Sequence, residues 1–455
     1  MVKQYILIRV VSYLSNYAKS NNLLTYIYIL LLTIMEHSLR KAIMDVNNIH
    51  ENDIYIEYDT FDDESIIIRG EKIKKLPNDL DMYIKKPKLS IGETSITQIP
   101  DSIGNLTNLK GLHLGSNELQ ILPDFIGNLT YLEELRLENN YLKTLPDSIG
   151  KLTNLKGLHL SYNKLTSLPD SIGDLRMLEY LHLYGNKLKT LPNSIRNLAN
   201  LEILDLDYNQ LQTLPDSIYN LTNLKGLHLI RNQLKTIPDS IGKLTKLVRL
   251  HLEKNQLKTL PDSIGNLNNL KSLHLFDNQL TTLPDSIGNL TKLEGLFLSG
   301  NQLTTLPDSI GKLTRLETLY LNYNQLKTLP DSIGKLTKLE RLYLEKNQLK
   351  TLPDSIGNLK RLRRIYIERN PIDKLHKSFV RFLSKNNGRV YIPQNKTKRY
   401  EISDNKLKIV TSRLLDKHNK KGNGLKLKDL PNNMKRKIMK DTMDLMKKNN
   451  YIYFA

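Results

Sequence analysis

Six of the ten histidines of this 455-residue chain fall on one spacing. His113, His159, His182, His228, His251 and His274 stand at multiples of 23 residues, and the same column continues through Arg136, Asp205, Phe297, Tyr320, Tyr343 and Tyr366. Imidazoles in such a row have three chemistries open to them. If neighbouring strands set them about 5 Å apart, His228, His251 and His274 could ligate a metal, although the sequence offers no carboxylate cluster to help and no metal is expected. They could titrate together near about pH 6.5, so that binding through this half would change between about pH 7.5 and 5.5. They could instead form part of a protein-contact surface, or be inherited by duplication and merely tolerated. The last four column positions, Phe297, Tyr320, Tyr343 and Tyr366, are all aromatic. Arg341 and Arg364 flank the tyrosines on one side, Glu345 and Glu368 on the other. Tyr and Arg dominate the energetics of protein interfaces, so this end is the expected centre of contact.

Covalent chemistry finds little support. The chain has no cysteine, which excludes thiolate zinc sites and cysteine nucleophiles and favours a reducing compartment. There is no phosphate-cradling glycine motif, no H-E-x-x-H and no G-x-S-x-G. The Asp and Ser that follow proline recur in nearly every unit and read as framework. A non-catalytic chain is expected, with no cofactor and no small-molecule substrate.

The elements that position the column follow from the same period. Proline recurs every 23 residues from Pro77 to Pro353, and asparagine from Asn117 to Asn370. One unit reads Leu109, Leu112, Leu114, Asn117, Leu119, Leu122, Pro123, Ile126, Leu129. Leu112 and Leu114 alternate with His113, so a strand points the leucines inward and the histidine outward. The asparagine turns the chain and can satisfy buried backbone groups. Pro-Asp-Ser opens a short helical turn in which Asp and Ser are expected to cap. Ile126 and Leu129 fill the core from the far side. No unit can bury its leucines alone, so stability comes from stacking.

This frame, L-x-x-L-x-L-x-x-N-x-L in 23-residue units, resembles the leucine-rich-repeat family over roughly Ile66 to Pro393. The resemblance implies an α/β solenoid, a leucine-rich-repeat horseshoe with about 14 parallel strands on its concave face. Ile66 and Ile68, then Leu89 and Ile91, look like two degenerate leading repeats with Glu71 and Thr94 in the asparagine place. The L-P-D-S-I-G-N-L-T-N-L phrasing is similar to intracellular Ras-group-related repeat proteins. That likeness implies a concave face that binds signalling proteins such as small GTPases, their kinases or phosphatase subunits. The Lys-, Asn-, Ile- and Tyr-rich composition resembles repeat proteins of mimivirus-type giant viruses or amoebae, with an intracellular, cytoplasmic location implied.

Three segments follow: a helical N-terminal cap at 1–60, the solenoid at 61–393 and a basic, partly disordered tail at 394–455. Net charge is +20 overall, of which the residues from Asp373 onward carry +15. Lys396–Arg399, Lys420–Lys421 and Lys435–Lys437 could give the tail weak contact with nucleic acid or anionic membrane. A second reading of the tail is a degenerate F-box-like segment at Leu430, Pro431, Met434, Ile438 and Met443, implying a ubiquitin-ligase adaptor. Leu23–Met35 is an apolar run of 13 residues. It is short of the roughly 20 that span a bilayer, so a core helix on the end of the array is expected over a signal-anchor.

Overall fold

The computed structural model describes residues 23–58 and 65–372, with the side chains of 23–32 and of 58 left aside. The expected first helix before residue 23, the last helix at Ser378–Ser384, the closing strand at Val390–Ile392 and the basic tail lie outside the described residues. The chain divides into two compact units, one comprising 23–210 with 215–221, the other 211–214 with 222–372.

The first unit opens with α1 (Leu23–Asn47). Leu39 and Ile43, one helical turn apart, are fully buried. Arg40 Nη1 donates to the Ile54 carbonyl at 2.8 Å, and Asn47 Nδ2 to that of Lys75 at 2.8 Å. Asn48, in the left-handed region at φ 52°, ends the helix. No described helix is long and apolar enough to cross a membrane.

After α1 comes a strand absent from the sequence reading, β1 (Tyr55–Tyr58), antiparallel to β2 (Ser65–Gly70). It covers the edge of the sheet, which otherwise presents open hydrogen-bonding groups. From β2 onward every pairing is parallel: β3 (Lys88–Thr94), β4 (Gly111–His113), β5 (Glu134–Arg136), β6 (Gly157–His159), β7 (Tyr180–His182) and β8 (Ile203–Asp205). Ile66 pairs with Leu89 and Ile68 with Ile91, all buried, as the leading repeats require.

The second unit repeats the plan with β9 (Gly226–His228), β10 (Arg249–His251), β11 (Ser272–His274), β12 (Gly295–Phe297), β13 (Thr318–Tyr320), β14 (Arg341–Tyr343) and β15 (Arg364–Tyr366), again parallel. The units thus hold fourteen parallel strands besides the antiparallel β1.

Strands β4 to β15 are each three residues long because only the central leucine or isoleucine and the next inward residue beyond the strand must point into the core. Leu250, Leu252, Leu257, Ile264, Leu267 and Leu270 are all fully buried. The asparagine then closes the turn. Asn255 Nδ2 donates to the Leu229 carbonyl one rung back (2.8 Å) and to its own Leu252 carbonyl (3.0 Å), while its Oδ1 accepts from Leu234 N–H (3.0 Å). One buried amide therefore satisfies three backbone groups that water cannot reach. The residue before it, Lys254, has φ 54°, and the same left-handed value recurs before nearly every asparagine.

The far side carries five-residue 3₁₀ turns such as Asp262–Asn266. The expected capping by Asp and Ser does not occur: extended Pro261 holds the cap position, with no side-chain cap bond. Most of the turn serines, Ser263 and Ser286 among them, have buried hydroxyls without a hydrogen-bond partner. Their value is smallness. A Cβ on Gly265 would sit 2.5 Å from the Ser286 carbonyl oxygen, so neighbouring turns touch backbone to backbone.

Candidate binding face

The in-register strands carry the period-23 column outward in both units. In the first unit His113, Arg136, His159 and His182 occupy successive rungs. Glu134, two residues before Arg136 on the same strand face, organises them. It bonds Arg136 Nη2 at 2.7 Å and lies 3.5 and 3.6 Å from the Nε2 atoms of His113 and His159. Burial alone would raise the Glu134 pKa, but the Arg136 hydrogen bond and charge, then the two histidines, hold it below the usual value. His159 and His182 stack at 4.9 Å and 12°. Burial first, then His182 and Arg136, push His159 down to about 4. Burial, followed by Arg136, also lowers His113.

The second unit assembles seven column rings into one stack. Successive centroids from His228 through His251, His274, Phe297, Tyr320 and Tyr343 to Tyr366 are 4.5, 4.3, 4.1, 5.2, 4.0 and 4.6 Å apart. The tyrosine rings are nearly parallel in successive pairs, at 13° and 7°. Burial, then a hydrogen bond with Tyr343, raises the Tyr320 phenol to about 12. Arg341 and Arg364 are register partners on the flank, and both are exposed. On the opposite flank Glu345 is half-buried, with one oxygen buried and unbonded; burial, with Glu368 nearby, raises its pKa. All nine residues singled out in the sequence thus share one face of this unit.

The geometry bears on two of the chemistries open to the histidines. His228 and His251 stack at 12°, so they meet ring face to ring face, and both nitrogens of His274 already have neighbours. That is not a convergent ligand set. Burial, then the charges of His274 and His228, also bring His251 down to about 4. The expected titration between about pH 7.5 and 5.5 therefore fails for His159 and His251, which stay neutral there.

Sequence reasoning missed several residues that flank the column two or three positions away. Phe276 meets His274, Phe297 and Tyr320 edge-on at 5.9, 5.5 and 6.0 Å. Glu253, 7 % exposed, reaches His274 Nδ1 from the preceding rung at 2.9 Å. In the first unit Tyr162, Tyr184 and Tyr208 cluster at 4.8 Å centroid spacings. The signal was available only by tabulating the flanking columns rung by rung.

The leucine-rich repeat region family matches at residues 170–250, 216–299 and 285–386, and a further leucine-rich-repeat family at 130–188. No curated protein matches the chain. Among solved structures, a leucine-rich-repeat protein of Leptospira interrogans is similar at 37% identity and TM-score 0.53, over 70% of this chain and 93% of that one. The internalin InlF of Listeria monocytogenes is similar at 25% identity and TM-score 0.59, over 72% and 94%. The plant peptide hormone receptor RGFR1, in complex with RGF2, is similar at 26% identity and TM-score 0.57, over 76% and 65%. With matched repeats running from residue 130 to 386 and a 37%-identical relative covered almost end to end, the chain belongs to the leucine-rich-repeat proteins.

Proposed function

We propose that this chain is a protein-binding scaffold whose contact surface is the strand face of the second unit, centred on Tyr320, Tyr343 and Tyr366. The observation that carries the reading is the unbroken ring stack, with exposed Arg341 and Arg364 beside it. A rigid row of amphipathic rings loses little conformational entropy on binding and offers both apolar area and hydroxyls. Support also comes from the plant receptor of the same fold, which is in complex with RGF2.

The test is affinity capture from native cells with the full chain and with a triple Tyr320→Ala, Tyr343→Ala, Tyr366→Ala variant of matched thermal stability. A protein retained by the first and lost by the second supports the reading. Equal capture by both moves the contact surface elsewhere.

A further inference from the structure

Of the six column histidines, one has an aliphatic hydroxyl two residues before it on its own strand. The others have Gly111, Gly157, Tyr180, Gly226 and Arg249 there; His274 has Ser272. Ser272 Oγ lies 2.7 Å from His274 Nε2. On the other side of the ring, His274 Nδ1 lies 2.9 Å from Glu253 Oε1. Glu253 is buried, and its second oxygen has no hydrogen-bond partner. A carboxylate only accepts, so Nδ1 carries the ring proton. Nε2 is then left with its lone pair facing the serine hydroxyl. A nucleophile, a base within hydrogen-bond reach, and a third group orienting that base make up the signature of an activated serine.

The surroundings complete a small site. Ser272 is half-exposed, between two register partners, Arg249 on β10 and Gly295 on β12. Gly295 adds no side chain, and the Phe297 ring stands over it: a Cβ there would lie 2.7 Å from Phe297 Cε2. That ring forms an apolar wall on one side of the hydroxyl. Arg249 is exposed on the other. The backbone gives no oxyanion hole here, since Ser272 N–H is spent on the Val248 carbonyl at 3.2 Å. A guanidinium one rung away is the group placed to meet developing negative charge.

We propose that Ser272, His274 and Glu253 form a nucleophile, base and orienting carboxylate that accept an acyl group from carboxylic esters, with Arg249 facing the oxyanion. Ser272 Oγ attacks the ester carbonyl carbon and its proton passes to His274 Nε2. The bond from that carbon to the alcohol oxygen breaks, the imidazolium returns its proton to the departing alkoxide, and Ser272 is left as an ester. Water, deprotonated by the same nitrogen, then releases the acid and restores the serine. Glu253 is a positioning residue, because it touches only the imidazole. The face is open to water, so slow turnover is expected. This chemistry departs from the non-catalytic expectation and does not depend on the scaffold reading.

The test treats the full chain with an aryl fluorophosphonate, in which Ser272 Oγ would displace fluoride at phosphorus, and maps the adduct by mass spectrometry. Ser299 on the same face serves as the reference serine. The expected result is a single adduct on Ser272, formed at least ten times faster than on Ser299, and a burst of nitrophenol from p-nitrophenyl acetate. His274→Gln should slow labelling about 100-fold. Glu253→Gln should lower the maximal labelling rate by about tenfold or more, because the amide can hold the imidazole in the wrong tautomer, with the half-saturating probe concentration unchanged. A merely structural role for Glu253 would not produce that split. Should His274→Gln lose its fold, the Glu253→Gln split and the Ser272→Ala blank still decide the matter. Labelling of Ser272 no faster than of Ser299, or unchanged in both variants, overturns the proposal.

Discussion

Tyr219 is fully buried, and its hydroxyl has no hydrogen-bond partner. It stands where most units have glycine. Burial, with Asp216 nearby, raises its phenol pKa, so the group stays protonated and unpaired. An unmade buried hydrogen bond costs about 1 kcal/mol or more. Tyr219→Phe keeps the ring and removes the cost, so it should raise stability by about 1 kcal/mol. The check is urea unfolding, with a higher midpoint and an unchanged slope; a lower midpoint would mean that the hydroxyl is bonded after all. Two half-buried histidines contribute to the acid side of the stability curve. His159 and His251 stand at about 4 in the folded chain, below their unfolded value of about 6.5. The unfolded chain therefore binds more protons between those values, and stability rises with pH across that window. It is fully present above about pH 6.5 and is lost as pH falls towards about 4. Thermal melts between these limits should show it. His251→Phe, which keeps a ring facing His228 and His274, should flatten the slope; an identical slope would remove His251 from the account.

At the scale of the element, the turn after each strand carries more of the fold than its length suggests. Asn255→Ala would orphan two buried carbonyls and one buried N–H. At about 1–3 kcal/mol for an orphaned buried group, with partial relaxation, a loss of about 3 kcal/mol is expected, read from denaturant midpoints. The preceding residue has a different remedy. Lys254 sits at φ 54°, a conformation that glycine adopts without strain, as Gly185 and Gly300 do at the same place. Lys254→Gly should gain about 0.5–1 kcal/mol; a loss would show that the lysine stem contributes packing worth more than the strain. The asparagine was legible in the sequence because one residue type does one job in every unit. The left-handed position was not, since Ser116, Tyr162, Arg231 and Lys254 all fill it and no type marks it. The face shows the same contrast. The column itself stood out by period, whereas Ser272 and Phe276 occur once each at their places in the units of β4 to β15, Glu253 shares its place with Glu138, Glu345 and Glu368, and all three gain meaning only when the register sets them beside His274. The strand β1 was hidden because it lies outside the repeat and pairs antiparallel.

For the whole molecule, charge separates two modes of contact. The chain carries +20, yet +15 of that belongs to the residues from Asp373 onward, which leaves about +5 for all the rest. The strand face of the second unit mixes exposed Arg341 and Arg364 with Glu345 and Glu368, so its contacts there depend on rings and local pairing and not on net charge. Binding at such a face is carried largely by buried aromatic anchors and is only weakly sensitive to salt. Binding by a lysine-rich segment to a polyanion releases counterions and weakens steeply as salt rises. Removing residues 394–455 should therefore abolish adhesion to heparin or DNA, while leaving partner capture through Tyr320, Tyr343 and Tyr366 intact. The check is a salt titration of both activities with the full and shortened chains. The full chain should lose polyanion binding by tenfold or more between about 50 and 200 mM salt, as expected when several phosphates are neutralised. If the shortened chain held DNA as tightly as the full one, the basic surface would lie within the repeats, and the near-neutral balance of that region would have to conceal a local concentration of positive charge.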